Sequence, residues 1–263
     1  MTDLVPALLR LRARRSGAGP LLTYYEPAVG TRVELSATTL LNWVDKTSHL
    51  LDELGVAPGD AVALPLATTA PGHWVTAVWE LACWQVGVAV LVGGAAVGDD
   101  PAGGAAGAEA ARVEAAGGEP ALVVSGPDWA AARTSGVEVV ACSLHPLGLP
   151  LAGDLPPGVL DYALEVRGQS DVYPAVRQPG DRPAWVEPGR RLSQTDLVAA
   201  PAGPEPVRRL VRPDQPWSTA QRAVVAPLLG GGSTVLVAGR AGEAELARIR
   251  ADERVEAGPD PEQ

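Results

Sequence analysis

Between Ser36 and Val92 the spacing of apolar residues switches from helical to continuous and back, and each switch predicts an element. Leu40, Val44, Thr47, Leu51 and Leu54 recur at helical spacing and share one face. Ser36 precedes that face as an N-cap, its hydroxyl placed to accept from an amide left free in the first turn. Gly55 predicts the helix stop in the left-handed conformation, and Pro58-Gly59-Asp60 predicts a turn. Ala61 to Leu66 is an apolar run of strand length, buried on both faces if its sheet is parallel. From His73 to Val86 the chain is apolar nearly all round and carries Trp74, Trp79 and Trp84. Such a helix lies inside a layer, and the tryptophan spacing, which keeps no single face, suits packing on several sides. Gly87 stops it, Val88 to Val92 reads as the next strand, and strand, crossover helix and strand make a right-handed βαβ unit.

The flanks extend this pattern. The opening MTDLVPALLRLRARR predicts a short amphipathic helix packed on the domain, and Leu21 to Tyr25 with Arg32 to Leu35 predict a hairpin around Pro27 and Gly30. The Ala/Gly-rich residues 93–108 read as a mobile loop, and Glu109 to Ala116 as a helix. Ala121 to Ser125 and Val137 to Ala141 are strand-like, separated by a short helix around Trp129. The alternation predicts an α/β fold, a parallel sheet with helices on both faces. Residues 143–182 are Pro- and Gly-rich, with one helical candidate at Val159 to Val166. Ala184 to Glu187 and Arg190 to Leu192 then predict a tight hairpin through Pro188-Gly189, and Ser193 with Asp196 a capping box. Trp217 to Leu229 reads as a helix stopped by Gly230 to Gly232, Thr234 to Val237 as a strand, and Glu243 to Arg250 as a last helix before a short strand near Val255. The division expected is an N-terminal α/β subdomain over 1–142, a connection over 143–182, a smaller α/β subdomain over 183–256 and a disordered tail over 257–263.

Composition narrows the function classes. A chain of 263 residues with 46% apolar content can bury a full core. The net charge of −10 argues against nucleic-acid and anionic-membrane partners, since either demands a basic face. Cys83 and Cys142 give neither a disulfide framework nor metal spacing and read as buried thiols in a reducing compartment. No apolar run reaches the roughly 18 residues of a membrane span, and the N-terminus lacks a signal peptide's long apolar region, so a cytoplasmic location is expected. His49, His73 and His145 have no His or Cys at ligand spacing, so no metal site is expected, and His73 reads as the start of its helix. Lys46, the sole lysine, reads as a solvated partner of Asp45 or a nearby acid, and Asp52-Glu53 and Asp99-Asp100 as solvated charge. Gly230-Gly231-Gly232-Ser233-Thr234 follows a helix and precedes a strand, the reverse of the order a phosphate-binding loop needs.

Thr23-Tyr24, then Leu54-Gly55-Val56-Ala57-Pro58-Gly59-Asp60, then Val62 to Leu66 and Gly87-Val88-Ala89-Val90 stand in an order that resembles one family. It is the adenylate-forming (AMP-binding) superfamily of acyl-CoA synthetases, peptide-synthetase adenylation domains and luciferases, at the opening of its large N-terminal domain. Leu192 to Ala200 is similar to the helix after the family's phosphate loop, and Ala226-Pro227-Leu228-Leu229-Gly230 with Ser233 to Val237 to a later helix and strand. The resemblance runs in order from Pro20 to Gly258 and implies two mostly parallel sheets flanked by helices. It also implies an ancestry in Mg-ATP-dependent activation of a carboxylic acid to an acyl-adenylate.

That chemistry calls for a Ser-, Thr- and Gly-rich loop, because phosphates need many small donors at close approach. At the corresponding position this chain reads Ala184-Trp185-Val186-Glu187-Pro188-Gly189-Arg190-Arg191. It has no hydroxyl, a single glycine, a proline without an amide donor and a carboxylate that repels phosphate. Arg190 and Arg191 are able to meet an anion but read as a solvated tip. The family's later motifs and catalytic lysine fall beyond the last matching segment. The expectation is therefore a truncated, catalytically inactive relative with no catalytic residues and no cofactor beyond weak residual nucleotide or acyl-adenylate binding. It would act as a binding or scaffolding module. The alternatives are half of a split ligase, or a structural homodimer, either using a sheet edge left exposed near the C-terminus.

Overall fold

The computed structural model describes residues 4–93, 119–133, 136–199 and 206–256. The expected loop and helix within 93–118, the Asp99-Asp100 pair and the tail fall wholly or largely outside them.

Helix α1 (Val5–Ser16) precedes a hairpin of β1 (Pro20–Glu26) and β2 (Thr31–Ser36). Helix α2 (Ala37–Glu53) starts on Ser36, whose hydroxyl accepts from the Thr39 amide, and ends in a Schellman motif. There the Val56 amide reaches Leu51 O at 3.0 Å, the Gly55 amide reaches Asp52 O at 3.0 Å, and Gly55 has φ +75°. The expected strand from Ala61 is shorter than its apolar run: β3 covers Ala61–Ala63, and the chain turns at Pro65 into a single helical turn, α3 (Leu66–Thr69). Helix α4 (Trp74–Val86) is buried at every position. The His73 ring caps it, Nδ1 accepting from the Val75 amide, and Gly87 at φ +88° ends it.

Strands β4 (Ala89–Leu91), β5 (Leu122–Ser125), β6 (Val139–Ala141) and β7 (Val159–Asp161) follow, then helix α5 (Tyr162–Glu165). Helix was expected throughout Val159 to Val166. Its first three residues instead extend the sheet, paired parallel with β6, and the Asp161 carboxylate caps α5 through the Ala163 amide. The hairpin of β8 (Pro183–Glu187) and β9 (Arg190–Ser193) leads into α6 (Gln194–Val198), with both halves of the Ser193–Asp196 capping box formed. Strand β10 (Arg208–Val211) was not foreseen: its sequence, Arg208-Arg209-Leu210-Val211, shows no apolar alternation. The next helix, α7, spans 216–230 with a π-helical turn at Gln221–Val225. The bulge immediately precedes Ala226-Pro227, and a proline both lacks an amide and crowds the carbonyl of the preceding turn. Strand β11 (Ser233–Val237) and helix α8 (Glu243–Asp252) complete the order.

Two sheets result, both mostly parallel and flanked by helices. The larger runs β7-β6-β5-β3-β4-β8-β9, with β9 alone antiparallel, and the smaller runs β10-β11-β1-β2, with β2 antiparallel. Each sheet draws strands from both sides of residue 143, because β8 and β9 join the larger sheet while β1 and β2 lie with β10 and β11. Helix α4 meets both sheets: the His73 ring packs edge-on to Tyr24 of β1 at 4.8 Å, and Trp84 Nε1 donates to Ala184 O of β8 at 3.0 Å.

The C-terminal end departs from expectation. The final strand, β11, is central, lying between β10 and β1, so it offers no exposed edge. Among the described residues no strand forms near Val255: Arg254 takes φ +50°, turning the chain, and the Glu256 amide bonds Arg208 O of β10 at 3.0 Å.

Candidate functional site

The turn after β8 is the position where sequence reasoning placed the rewritten phosphate loop. Trp185 and Ala184 are fully buried, and the Val92 amide donates to Val186 O at 2.9 Å, so the core of the sheet fixes where the hairpin emerges. Glu187 pairs with Arg190, leaving Pro188 and Gly189 (φ +75°) as a two-residue turn. The Glu187 carboxylate accepts from Arg190 Nη1. A Cβ on Gly93 would lie 3.4 Å from Pro188, so the end of β4 closes against the turn.

This end of a parallel sheet is where open α/β folds hold ligands. The chemistry offered here is narrow. Ser193 Oγ is engaged twice by Asp196, donating to its carboxylate and accepting from its amide. Arg190 and Arg191 lie exposed on β9. The structure brings Glu187 and Arg190 together as an ion pair, with no hydroxyl in the turn. At the neighbouring crevice, where the connections after β3 and β5 diverge, a Cβ on Gly126 would sit 3.7 Å from both Leu66 and Leu144 side chains and 4.0 Å from the Thr69 hydroxyl.

One comparison decides the family. A TIGR03089 family protein from Mycobacterium tuberculosis is 37% identical over 241 residues, 90% of this chain and 87% of that protein. The chain belongs to the TIGR03089 family. No protein-family model matches it. Among solved structures, a Brucella canis acyl-CoA synthetase superposes on this TIGR03089 protein with a TM-score of 0.71 at 20% identity, covering 96% of this chain and 46% of the synthetase. The N-terminal domain of FACL13 from Mycobacterium tuberculosis does so at 0.64 and 17%, covering 97% and 62%. A benzoate CoA ligase from Burkholderia xenovorans gives 0.66 and 14%, covering 97% and 49%. The chain thus spans about half the length of the two full-length ligases, and these likenesses establish the fold of their N-terminal domain.

Sequence reasoning missed two polar clusters and one buried carboxyl in this TIGR03089 protein. Beneath α1, Arg10 Nη2 donates to Asp45 Oδ1 (2.9 Å), Gln85 Oε1 (3.0 Å) and Tyr173 O (2.9 Å). Lys46 was expected to pair with Asp45 or a nearby acid; Asp45 is buried on Arg10, and Lys46 pairs with another acid, Asp171, at 3.0 Å. Against the small sheet, Glu253 accepts from Arg208 Nη2 (2.5 Å), Arg32 Nε (2.8 Å) and the Tyr25 hydroxyl (2.5 Å). Burial alone would raise the Glu253 carboxyl, but these donors hold it down at about 2. In α4, burial pushes the Glu80 carboxyl well above its ordinary range. Cys83 and Cys142 are buried thiols raised the same way, as expected. Asp52 and Glu53 lie exposed, as read from the sequence, and accept from the Tyr173 hydroxyl and the Gln169 side chain. No helix among the described residues is long and apolar enough to cross a membrane.

Proposed function

We propose that this TIGR03089 protein is a non-catalytic binding module built on the adenylate-forming fold, working in the cytoplasm without a bound cofactor. The observation that carries this reading is the β8–β9 turn. Where the resemblance calls for a donor-rich loop, two residues close the hairpin and the nearest side chain is a carboxylate paired with arginine. A phosphate brought there meets one glycine amide, no hydroxyl and the field of Glu187. Arg190 cannot compensate fully, because it is already paired.

The test is ATP–pyrophosphate exchange by the purified chain with acetate, benzoate and palmitate, run beside an active acyl-CoA synthetase. Exchange no higher than a blank is expected, and exchange with any of the three acids overturns the reading. Titration of Mg-ATP and a non-hydrolysable acyl-adenylate analogue then separates a lost nucleotide site from a weak residual one.

A second reading, a module completed by another chain or a second copy, rests on β10. This outer strand pairs with β11 on one side; on the other, among the described residues, its backbone receives one bond, from the Glu256 amide, and the Arg208 side chain reaches Glu253. Such an edge is a template for a partner strand. Sedimentation as a clean monomer at high concentration would remove the homodimer form of this reading.

A further inference from the structure

We infer that the cavity between α1 and α6 is a second, independent site, and that it takes a small amphiphile with one acidic head group and an apolar body. The cavity measures about 680 Å³, the size of a small-molecule pocket. It is bounded by α1, the C-terminal end of α4, residues 175–180 and α6. It shares no residue with the Glu187–Arg191 turn.

Charge selects the ligand class. The protein carries a net charge of −10, yet the charged residues lining this cavity are Arg10 and Arg177, with no carboxylate among the lining residues described. Arg10 is fixed in place rather than mobile. Its Nη2 is held by Asp45, Gln85 and the Tyr173 carbonyl, and its Nη1 is 3.5 Å from Asp45 Oδ2. A guanidinium has five N–H donors. Among the described residues, Nε and one Nη1 hydrogen of Arg10 have no acceptor, and Arg10 lines the cavity. Asp45 offsets one positive charge from behind, so attraction for an anion comes from these directed donors.

The walls supply the rest. Leu4, Ala7, Pro179 and Val198 give the cavity apolar sides for a hydrocarbon or ring. The polar wall is fixed as well: Gln178 Nε2 donates to Gln85 O at 3.1 Å, and its Oε1 accepts from Arg182 at 2.7 Å. Gly87 permits that arrangement, since a Cβ there would lie 2.3 Å from Gln178 Oε1. A pocket whose polar groups are already ordered loses little entropy on binding.

Calorimetric titration of decanoate into the full chain tests the inference, with decanol and decyltrimethylammonium as probes of equal tail. Saturable one-to-one binding of decanoate is expected, with decanol weaker by about tenfold, as for loss of one charge-assisted contact, and the cation weaker still. Ala7→Trp fills the cavity from an exposed position on α1 and should abolish binding while the thermal midpoint stays put. Arg177→Glu, at an exposed rim position, should weaken decanoate binding and leave decanol binding unchanged. Equal affinity for decanoate and decanol, decanoate binding untouched by either variant, or no saturable heat up to about 1 mM overturns it. Adenylation activity, which would overturn the proposed function, leaves all of these arms standing.

Discussion

Two carboxylate–arginine pairs in this protein look alike on paper and sit in opposite environments. Asp45 and Arg10 meet at 2.9 Å beneath α1, with side chains 3% and 15% exposed. Glu187 and Arg190 meet across the β8–β9 turn, 12% and 44% exposed. The first pair is a long-range contact tying α1 to α2, with Gln85 bringing in α4 through bonds to both partners. The second joins neighbours across a two-residue turn. Their difference separates what the fold needs from what it carries. A charge inside the helical layer must be clasped, because an unpaired one there costs several kcal/mol. A charge at the turn can be changed with little structural consequence, and that is the region where this chain departs from the loop its resemblance implies.

The largest effect should come from breaking the buried pair. Asp45→Ala strands the Arg10 guanidinium and removes the acceptor of the Gln85 amide, which also donates to Ser48 at 2.9 Å. Urea unfolding should show a loss of about 3–4 kcal/mol. The double change Asp45→Leu with Arg10→Met should recover part of it, since apolar replacement of a whole buried pair is often neutral. A loss under about 1 kcal/mol for the single variant would erase the contrast between the two pairs.

His73 asks whether the same layer excludes an unclasped charge. Its ring is nearly fully buried, Nδ1 accepts from the Val75 amide, and the Nε2 hydrogen points to Leu144 O at 3.1 Å. Both contacts suit the neutral ring, and burial, the largest cause, lowers its pKa to about 4. Against an unfolded value near 6.5, the unfolded chain binds more protons between those two values. Stability is therefore complete above about 6.5, falls as the pH drops through that window, and has no further His73 contribution below about 4. His73→Asn keeps a capping side chain and removes the titration. Between pH 7 and pH 4, native protein should lose about 2–3 kcal/mol more than the variant. Comparing the two cancels carboxylates such as Glu253 that titrate in both. Parallel pH profiles would show that the layer tolerates an imidazolium.

Much of the fold was legible because its signals are local. Ser36, Gly55, Gly87 and the Ser193–Asp196 box each act within one helical turn, and the structure uses all of them. The nearly all-apolar α4 announced its burial by composition alone. The candidate site was partly legible for the same reason: Pro188-Gly189 makes a turn whatever surrounds it. What stayed hidden depends on partners distant in sequence. Arg10 and Asp45 lie 35 residues apart and Arg208 and Glu253 lie 45 apart, so no periodicity links them. Strand β10 is held by pairing with β11, and β7 by pairing with β6, where local propensity was ambiguous. The cavity under α1 brings the first helix against residues 175–180, with Gln85 and α6 completing it, and no sequence pattern links these distant segments.

The smallest expected effect completes the comparison. Glu187→Ala makes the same kind of change as Asp45→Ala, deleting a carboxylate that pairs with arginine. Here the arginine left behind is largely in solvent, and water replaces its partner. The turn itself is fixed by Pro188, by Gly189 at φ +75° and by the buried residues of β8 before it, none of which depends on Glu187. Unfolding free energy should change by no more than about 0.5 kcal/mol. The same variant also bears on function. If Glu187 repulsion were the main barrier to phosphate, its removal would by itself bring saturable Mg-ATP binding. If the barrier is the two-residue turn, with too few amides and no hydroxyl to surround a phosphate, titration of the variant should remain flat. The geometry favours the second outcome: deleting one negative charge supplies none of the missing donors.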